Sequence, residues 1–215
     1  MIEYRDLMVR GLDIPALSLP HGLTAVIGLN GAGKTTLLEL TTGLLLPGQG
    51  VVLVDGRPPR TIDAGWVAAF PERSLLFSRV RDEVASACRF GGMQCGATDE
   101  RVREAARATG IENLLDRSTL TLSGGEKALV SLAAALAGRL CVLALDEFDS
   151  SLDLDTLARI IPLIRDAGVP HVLWSTHNPE VAARADCVIA LEQGRVAGTG
   201  DQARALFDIW DGETT

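Results

Sequence analysis

Apolar and polar positions along this chain alternate in two distinct ways. Ile2, Tyr4 and Leu7, then Leu17 and Leu19, flank Arg10-Gly11, which predicts two short strands joined by a turn and leading into Pro20-His21-Gly22. Leu23 to Ile27 is continuously apolar and predicts a buried strand, whereas Thr35 to Thr42 opens a helix that Gly43 and Pro47-Gly48 break. Val51 to Gly56 reads as a strand ending in a turn, and Ala64 to Phe70 as a further strand.

From Pro71 to about Gly138 the period becomes helical. Val80, Val84, Ala87 and Cys88 share one face, as do Val102, Ala105, Ala106 and Thr109, with Gly91-Gly92 and Gly96 as joints. Leu140 to Leu145 and Val169 to Ser175 are apolar runs of the kind that parallel strands buried on both faces require. Val188 to Leu191 before Gln193-Gly194-Arg195 predicts a terminal hairpin. Ala203, Leu206, Phe207 and Trp210 fall at helical spacing, which reads as a helix packed on the core, with a partner contact as the alternative. No repeat or low-complexity linker interrupts this order.

Gly28-Leu29-Asn30-Gly31-Ala32-Gly33-Lys34-Thr35-Thr36 lies between the buried strand and the helix, where a phosphate-binding loop belongs. Glycines 28, 31 and 33 let backbone N–H groups turn inward around phosphates, Lys34 places a charge on the β- and γ-phosphates, and the Thr35 hydroxyl completes the shell of a Mg²⁺ ion. The expected fold is therefore an α/β phosphate-loop NTPase. A mostly parallel sheet is flanked by helices, with a small N-terminal antiparallel β addition and an inserted helical lobe. Residues 1–215 form one domain, in which 1–70 and 139–215 make the nucleotide-binding core and about 71–138 the lobe.

Composition narrows the class. With 215 residues and 47 % hydrophobic content the chain supports one sizeable core. A net charge of −8, with Lys34 and Lys127 the only lysines, argues against a nucleic-acid surface. The cysteines at 88, 95, 141 and 187 form no C-x-x-C pair and read as buried thiols of a reducing cytosol. No apolar run is long enough to span a membrane and the start lacks a signal-peptide pattern, so membrane contact is expected through a partner.

Leu122-Ser123-Gly124-Gly125-Glu126 adds a second anion site, because a hydroxyl, free N–H groups and the positive dipole end of a helix all point one way. One chain has no use for two such sites on one γ-phosphate unless a second copy supplies one of them. Here the sequence resembles the ATP-binding-cassette (ABC) ATPases, whose signature this segment matches, from about Met1 to Gly200. Asn30, Gly31, Ala32, Gly33, Lys34, Thr35 and Thr36, with Ser123 to Glu126, would then bind ATP.

The resemblance implies more. Leu143 to Glu147 matches the family's second nucleotide motif, with Asp146 and Thr35 holding Mg²⁺ and Glu147 polarising the attacking water. Ser150-Ser151-Leu152-Asp153 matches the loop that crosses the dimer interface, although Ser and Asp equally suit a helix N-cap. His177 matches the switch histidine that meets the γ-phosphate. Two such domains close head to tail around ATP, as identical or different chains, and drive an integral membrane subunit from the cytoplasmic face.

Departures from the family pattern are specific. Ala69 replaces a glutamine that contacts metal and water. Gly11 or its neighbours stand where an aromatic stacks on adenine, a role left to aliphatic contacts or to Tyr4. Phe148 replaces a proline and Asn178 an aspartate. The stretch from Phe70-Pro71-Glu72 to Leu75-Leu76-Phe77, followed by Val80 and Asp82-Glu83-Val84, resembles the energy-coupling-factor importers of vitamins and of cobalt or nickel ions. The end near residue 215 implies a shorter tail than many of these carry. An exporter subunit and a regulatory cassette are the alternatives. DNA-maintenance cassettes would need a long heptad insertion, translation factors a second cassette, and monophosphate kinases no signature.

Overall fold

The computed structural model describes residues 1–70 and 75–213, which separate into two compact units. The first comprises Met1–Ala64, Cys141–Glu147 and Val169–Thr215. It opens with β1 (Ile2–Val9) and β2 (Leu12–Leu19), an antiparallel pair turning at Arg10-Gly11, both with positive φ. Ile2, Tyr4, Leu7, Leu12, Ile14, Leu17 and Leu19 are buried, so strand alternation puts one apolar face inward. Asp6, at φ 49°, shifts the register of β1 against β4 (Gln49–Val54), which completes a sheet of order β2-β1-β4. The small antiparallel addition thus recruits a strand from beyond the phosphate loop.

The second sheet of this unit is built on β3 (Gly22–Ile27). It lies between β7 (His171–Ser175) and β8 (Cys187–Glu192), both parallel to it; β6 (Val142–Asp146) runs parallel to β7, and β9 (Arg195–Thr199) pairs antiparallel to β8. The order within the unit is β6-β7-β3-β8-β9. Every residue of β7 and all but the last of β6 are buried, as unbroken apolar strands predict. Helices α1 (Lys34–Thr42), α6 (Pro179–Arg184) and α7 (Asp201–Glu213) contact the sheet strands. Because β3, β6 and β7 are parallel and in register, Val26 and Asp146 both lie opposite Ser175, so their carboxyl ends form one edge.

The second unit holds residues 65–140 and 148–168. It takes in α5 (Leu154–Asp166), a stretch that the sequence reading assigns to the core. β5 (Ala64–Val67) is shorter than the predicted strand, since the backbone bends at Ala69. Helices α2 (Val80–Phe90), α3 (Cys95–Thr109) and α4 (Gly124–Ala137) pack on one another. On α2 the buried face is Val80, Val84, Ala85 and Cys88, with Ala87 only half-buried. Gly96 lies inside α3 and is no joint, whereas Gly91 ends α2.

Two charged residues, one buried and one half-buried, organise this lobe. Glu83, on the inner side of α2, accepts the backbone N–H groups of Leu76 and Phe77 at 2.8 and 2.7 Å. Arg101 of α3 donates to the carbonyls of Leu136, Ala137 and Gly138 at 2.8 to 3.0 Å, closing the C-terminal end of α4 where the helix dipole is negative. Among the described residues no helix is long and apolar enough to cross a membrane, and Cys88, Cys141 and Cys187 are unpaired.

Candidate active site

The loop between β3 and α1 is shaped by glycines that no other residue replaces. Gly28 has φ 150°, and a Cβ there would lie 2.3 Å from the Leu191 carbonyl oxygen; Gly33, at φ 105°, caps α1 without a side-chain bond. Leu29, Asn30 and Gly31 are exposed, Ala32 is buried against the strand, and Thr35 and Thr36 open the first turn of α1. The helix begins at Lys34 itself, so its unpaired N–H groups face the loop's mouth.

Lys34 is only 5 % exposed, yet its ammonium is not stranded. It donates to the Gly28 carbonyl at 3.0 Å and to His177 Nε2 at 2.9 Å, and stands 3.3 Å from Glu147 Oε1. His177 Nε2 is itself 3.4 Å from that carboxylate oxygen. The loop cation, the histidine two residues past β7 and the acid that follows β6 thus converge on one spot at the common sheet edge.

The acids are held by a residue that motif reasoning passes over. Ser175, the last residue of β7, donates its hydroxyl to Asp146 Oδ1 at 2.6 Å and accepts the Glu147 N–H at 2.9 Å. Its backbone carbonyl also accepts the Glu147 N–H, at 3.0 Å. These bonds secure Glu147 at φ 48°, a left-handed conformation that costs roughly 1–2 kcal/mol for a residue with a Cβ. The bend turns the chain away immediately after the strand and leaves the Glu147 carboxylate at Lys34. Only strand pairing could reveal Ser175, since its sequence neighbours carry no motif for this role.

Thr35 Oγ1 donates to both Asp146 oxygens, at 3.1 and 2.9 Å. A hydroxyl and a carboxylate side by side are the hard oxygen donors that Mg²⁺ selects, so the residues present fit that ion. Gly28, Leu29, Asn30, Glu147 and His177 line a cleft of about 320 Å³, and Phe207 and Trp210 of α7 line it too. The sequence reading packs these aromatics on the core; Phe207 is buried there, while Trp210 is half-buried at the cleft.

One expectation is corrected here. Tyr4 offers no face to a base: it is buried in β1 with its hydroxyl 2.5 Å from Thr41 Oγ1, and burial pushes its pKa well up. Asn178 is the N-cap of α6, accepting the Glu180 N–H at 2.9 Å, a position where Asn and Asp serve equally. The segment Pro71 to Ser74 lies outside the described residues.

The signature segment belongs to the second unit. Ser123 caps α4: its hydroxyl accepts the Glu126 N–H at 3.2 Å, and Glu126 accepts the Ser123 N–H at 2.8 Å, a reciprocal box. That N–H bond holds the Glu126 carboxyl below the usual carboxylate range. Gly124, exposed, and Gly125, half-buried, open the first turn, where an added Cβ would meet nothing within 4 Å. In the same unit Asp153 is the N-cap of α5, accepting the Thr156 N–H at 2.7 Å, while Ala69 offers its carbonyl to Ser150 Oγ at 3.4 Å.

A glycine loop, a buried lysine and paired acids at the carboxyl edge of a parallel sheet define a phosphate-loop nucleotide-binding protein. The chain belongs to the ABC transporter family, whose model matches residues 14–150. It is an ATP-binding subunit of that type. It is 37 % identical over 218 residues to the cobalt import ATP-binding protein CbiO of Rhodobacter capsulatus, covering 93 % of this chain and 76 % of that protein. It is 34 % identical over 201 residues to the biotin transport ATP-binding protein BioM of Rhizobium etli, covering 91 % and 89 %. Among solved structures, CbiO1 from Clostridium perfringens, part of the transporter complex CbiONQ, superposes with TM-score 0.85 at 26 % identity, covering 95 % of this chain and 90 % of that one.

Proposed function

We propose that this subunit hydrolyses Mg-ATP in a head-to-tail pair with a second cassette, and that the cycle drives import through an integral membrane partner at the cytoplasmic face. The observation that carries the chemistry is the convergence of Lys34, His177 and Glu147 beside the phosphate loop. The loop residues Asn30 to Thr36 bind the phosphates through backbone N–H groups, and Lys34 exchanges its protein acceptors for β- and γ-phosphate oxygens. Glu147 orients a water and takes its proton as that water attacks the γ-phosphorus in line; the bond to the bridging oxygen breaks and ADP leaves. His177 meets the γ-phosphate and reports its presence to the sheet edge. Mg²⁺, held by Thr35 and Asp146, supplies charge stabilisation to the phosphate oxygens when bound.

Ser123 to Glu126 would serve the second cassette's ATP. A capped helix N-terminus with a glycine turn open at Gly124 is half of an anion site, which supports a shared one. Import is favoured by the relatives named for cobalt import and biotin transport.

The test combines turnover with mass. Purified Glu147→Gln protein should lose at least about 100-fold in ATP turnover, as removal of a general base does, and should double its mass by light scattering on adding Mg-ATP. Turnover that survives the substitution would overturn the assignment of Glu147. A variant that binds ATP and stays monomeric would overturn the identical pair in favour of a different cassette as partner.

A further inference from the structure

At the opposite edge of the first unit from the phosphate loop, three side chains from distant parts of the chain meet. His21 lies in the turn before β3, Asp55 follows β4, and His171 is the first residue of β7. His21 Nε2 is 3.0 Å from Asp55 Oδ1, and His171 Nε2 is 3.2 and 3.1 Å from Asp55 Oδ1 and Oδ2. One ligand atom from each residue falls within 4.8 Å of both others. We infer that His21, Asp55 and His171 bind a zinc-type divalent transition-metal ion, which joins the antiparallel sheet to the parallel sheet.

The donor set and its spacing carry the inference. Two imidazoles and one carboxylate suit first-row divalent ions such as Zn²⁺ rather than Mg²⁺, which prefers oxygen alone. Bonds of about 2.0–2.1 Å in a tetrahedral shell put neighbouring ligand atoms about 3.3 Å apart, close to the 3.0 to 3.2 Å that separate Asp55 from each histidine. Both rings offer the same nitrogen to one carboxylate, crossing edge to face at 75° with centroids 4.5 Å apart.

His171 is 1 % exposed and its Nδ1 has no hydrogen-bond partner, so every polar interaction of this buried ring passes through the Nε2 that faces the cluster. An ion bound here would displace the ammonium that now neutralises Asp55. The Met1 amino group donates to Asp55 and lies 3.4 Å from His171 Nε2. Asp55, at φ 48°, turns the chain back with Gly56, a conformation that Asp tolerates better than most residues and that aims its carboxylate at both histidines.

This place is not the nucleotide site. Gly22 pairs with His171 at the start of two parallel strands whose far ends carry the phosphate loop and Ser175, and six strand residues span about 20 Å. The metal would brace the sheet from its amino edge without touching the chemistry.

The experiment uses tag-free, nucleotide-free full-length protein titrated with Zn²⁺ by calorimetry and with Co²⁺ by visible absorption. The result expected is one ion per chain, a rise in unfolding midpoint with added Zn²⁺, and at least a tenfold loss of affinity in His21→Ala and in Asp55→Asn, with Asp146→Asn unchanged. His21 and Asp55 are exposed, so the folded state of these variants is checked by their unfolding midpoints in EDTA. Binding that is equal in wild type and both variants, or that vanishes in Asp146→Asn alone, would place the ion elsewhere and overturn the inference. So would a wild-type chain that binds neither ion.

Discussion

The Ser175 hydroxyl donates to Asp146 Oδ1 at 2.6 Å, across the β6–β7 pair. The Ser175 hydroxyl oxygen also accepts from Glu147 N–H, so one small residue orients both the proposed metal ligand and the backbone that presents the proposed base. Outer partners of metal ligands are typically worth about 10- to 100-fold in metal affinity or activity. Ser175→Ala should therefore raise the Mg²⁺ concentration for half-maximal turnover about tenfold while nucleotide binding without metal stays as it was. A Mg²⁺ titration of turnover checks this, and an unshifted curve would reject the role.

Ala69 lies in a bend after β5, where the resemblance to the family leads one to expect a glutamine. A methyl side chain contacts neither metal nor water. If that missing contact limits turnover, Ala69→Gln should raise the rate at saturating ATP, measured by phosphate release. An equal rate in the two proteins would assign the limit to another step.

The Ser123–Glu126 box has a structural role separable from its proposed contact with a partner's ATP. Ser123→Ala should destabilise the protein by about 1 kcal/mol in denaturant unfolding, the usual loss for an N-cap serine. Because the folded Glu126 pKa is lowered, first by the Ser123 N–H, its contribution is present above the unfolded value of about 4.3 and is lost as pH falls through the folded value. Unfolding midpoints of wild type and Glu126→Gln should accordingly converge on acidification below that range.

Trp210 lines the cleft with Gly28 and His177, whereas Trp174 is buried within β7 and Trp66 lies in the second unit. Mg-ATP should change the protein's tryptophan fluorescence, and Trp210→Phe should remove most of that change. Trp210→Ala should weaken nucleotide binding by about 2- to 10-fold, the range of one aromatic contact. A signal that persists in Trp210→Phe would separate α7 from the nucleotide.

Period and punctuation along the chain were enough to reach the strand–loop–helix around Lys34, the paired acids after an apolar strand, the helical lobe and the closing hairpin. Each is local: a buried parallel strand must be apolar throughout, an amphipathic helix must repeat near 3.6, and a phosphate loop must have glycine where no Cβ fits. Partnership is not local, and pairing decided the rest. Hydrogen bonding across the sheets brought β4 to β1, set Ser175 against Asp146, and put His171 beside His21 and Asp55. Packing did the same for α7, whose Trp210 lines the cleft beside the phosphate loop, and for Tyr4, which the core encloses. A residue's neighbours along the chain set its conformation, but its chemistry comes from residues more than a hundred positions away, and those contacts exist only once the chain is folded.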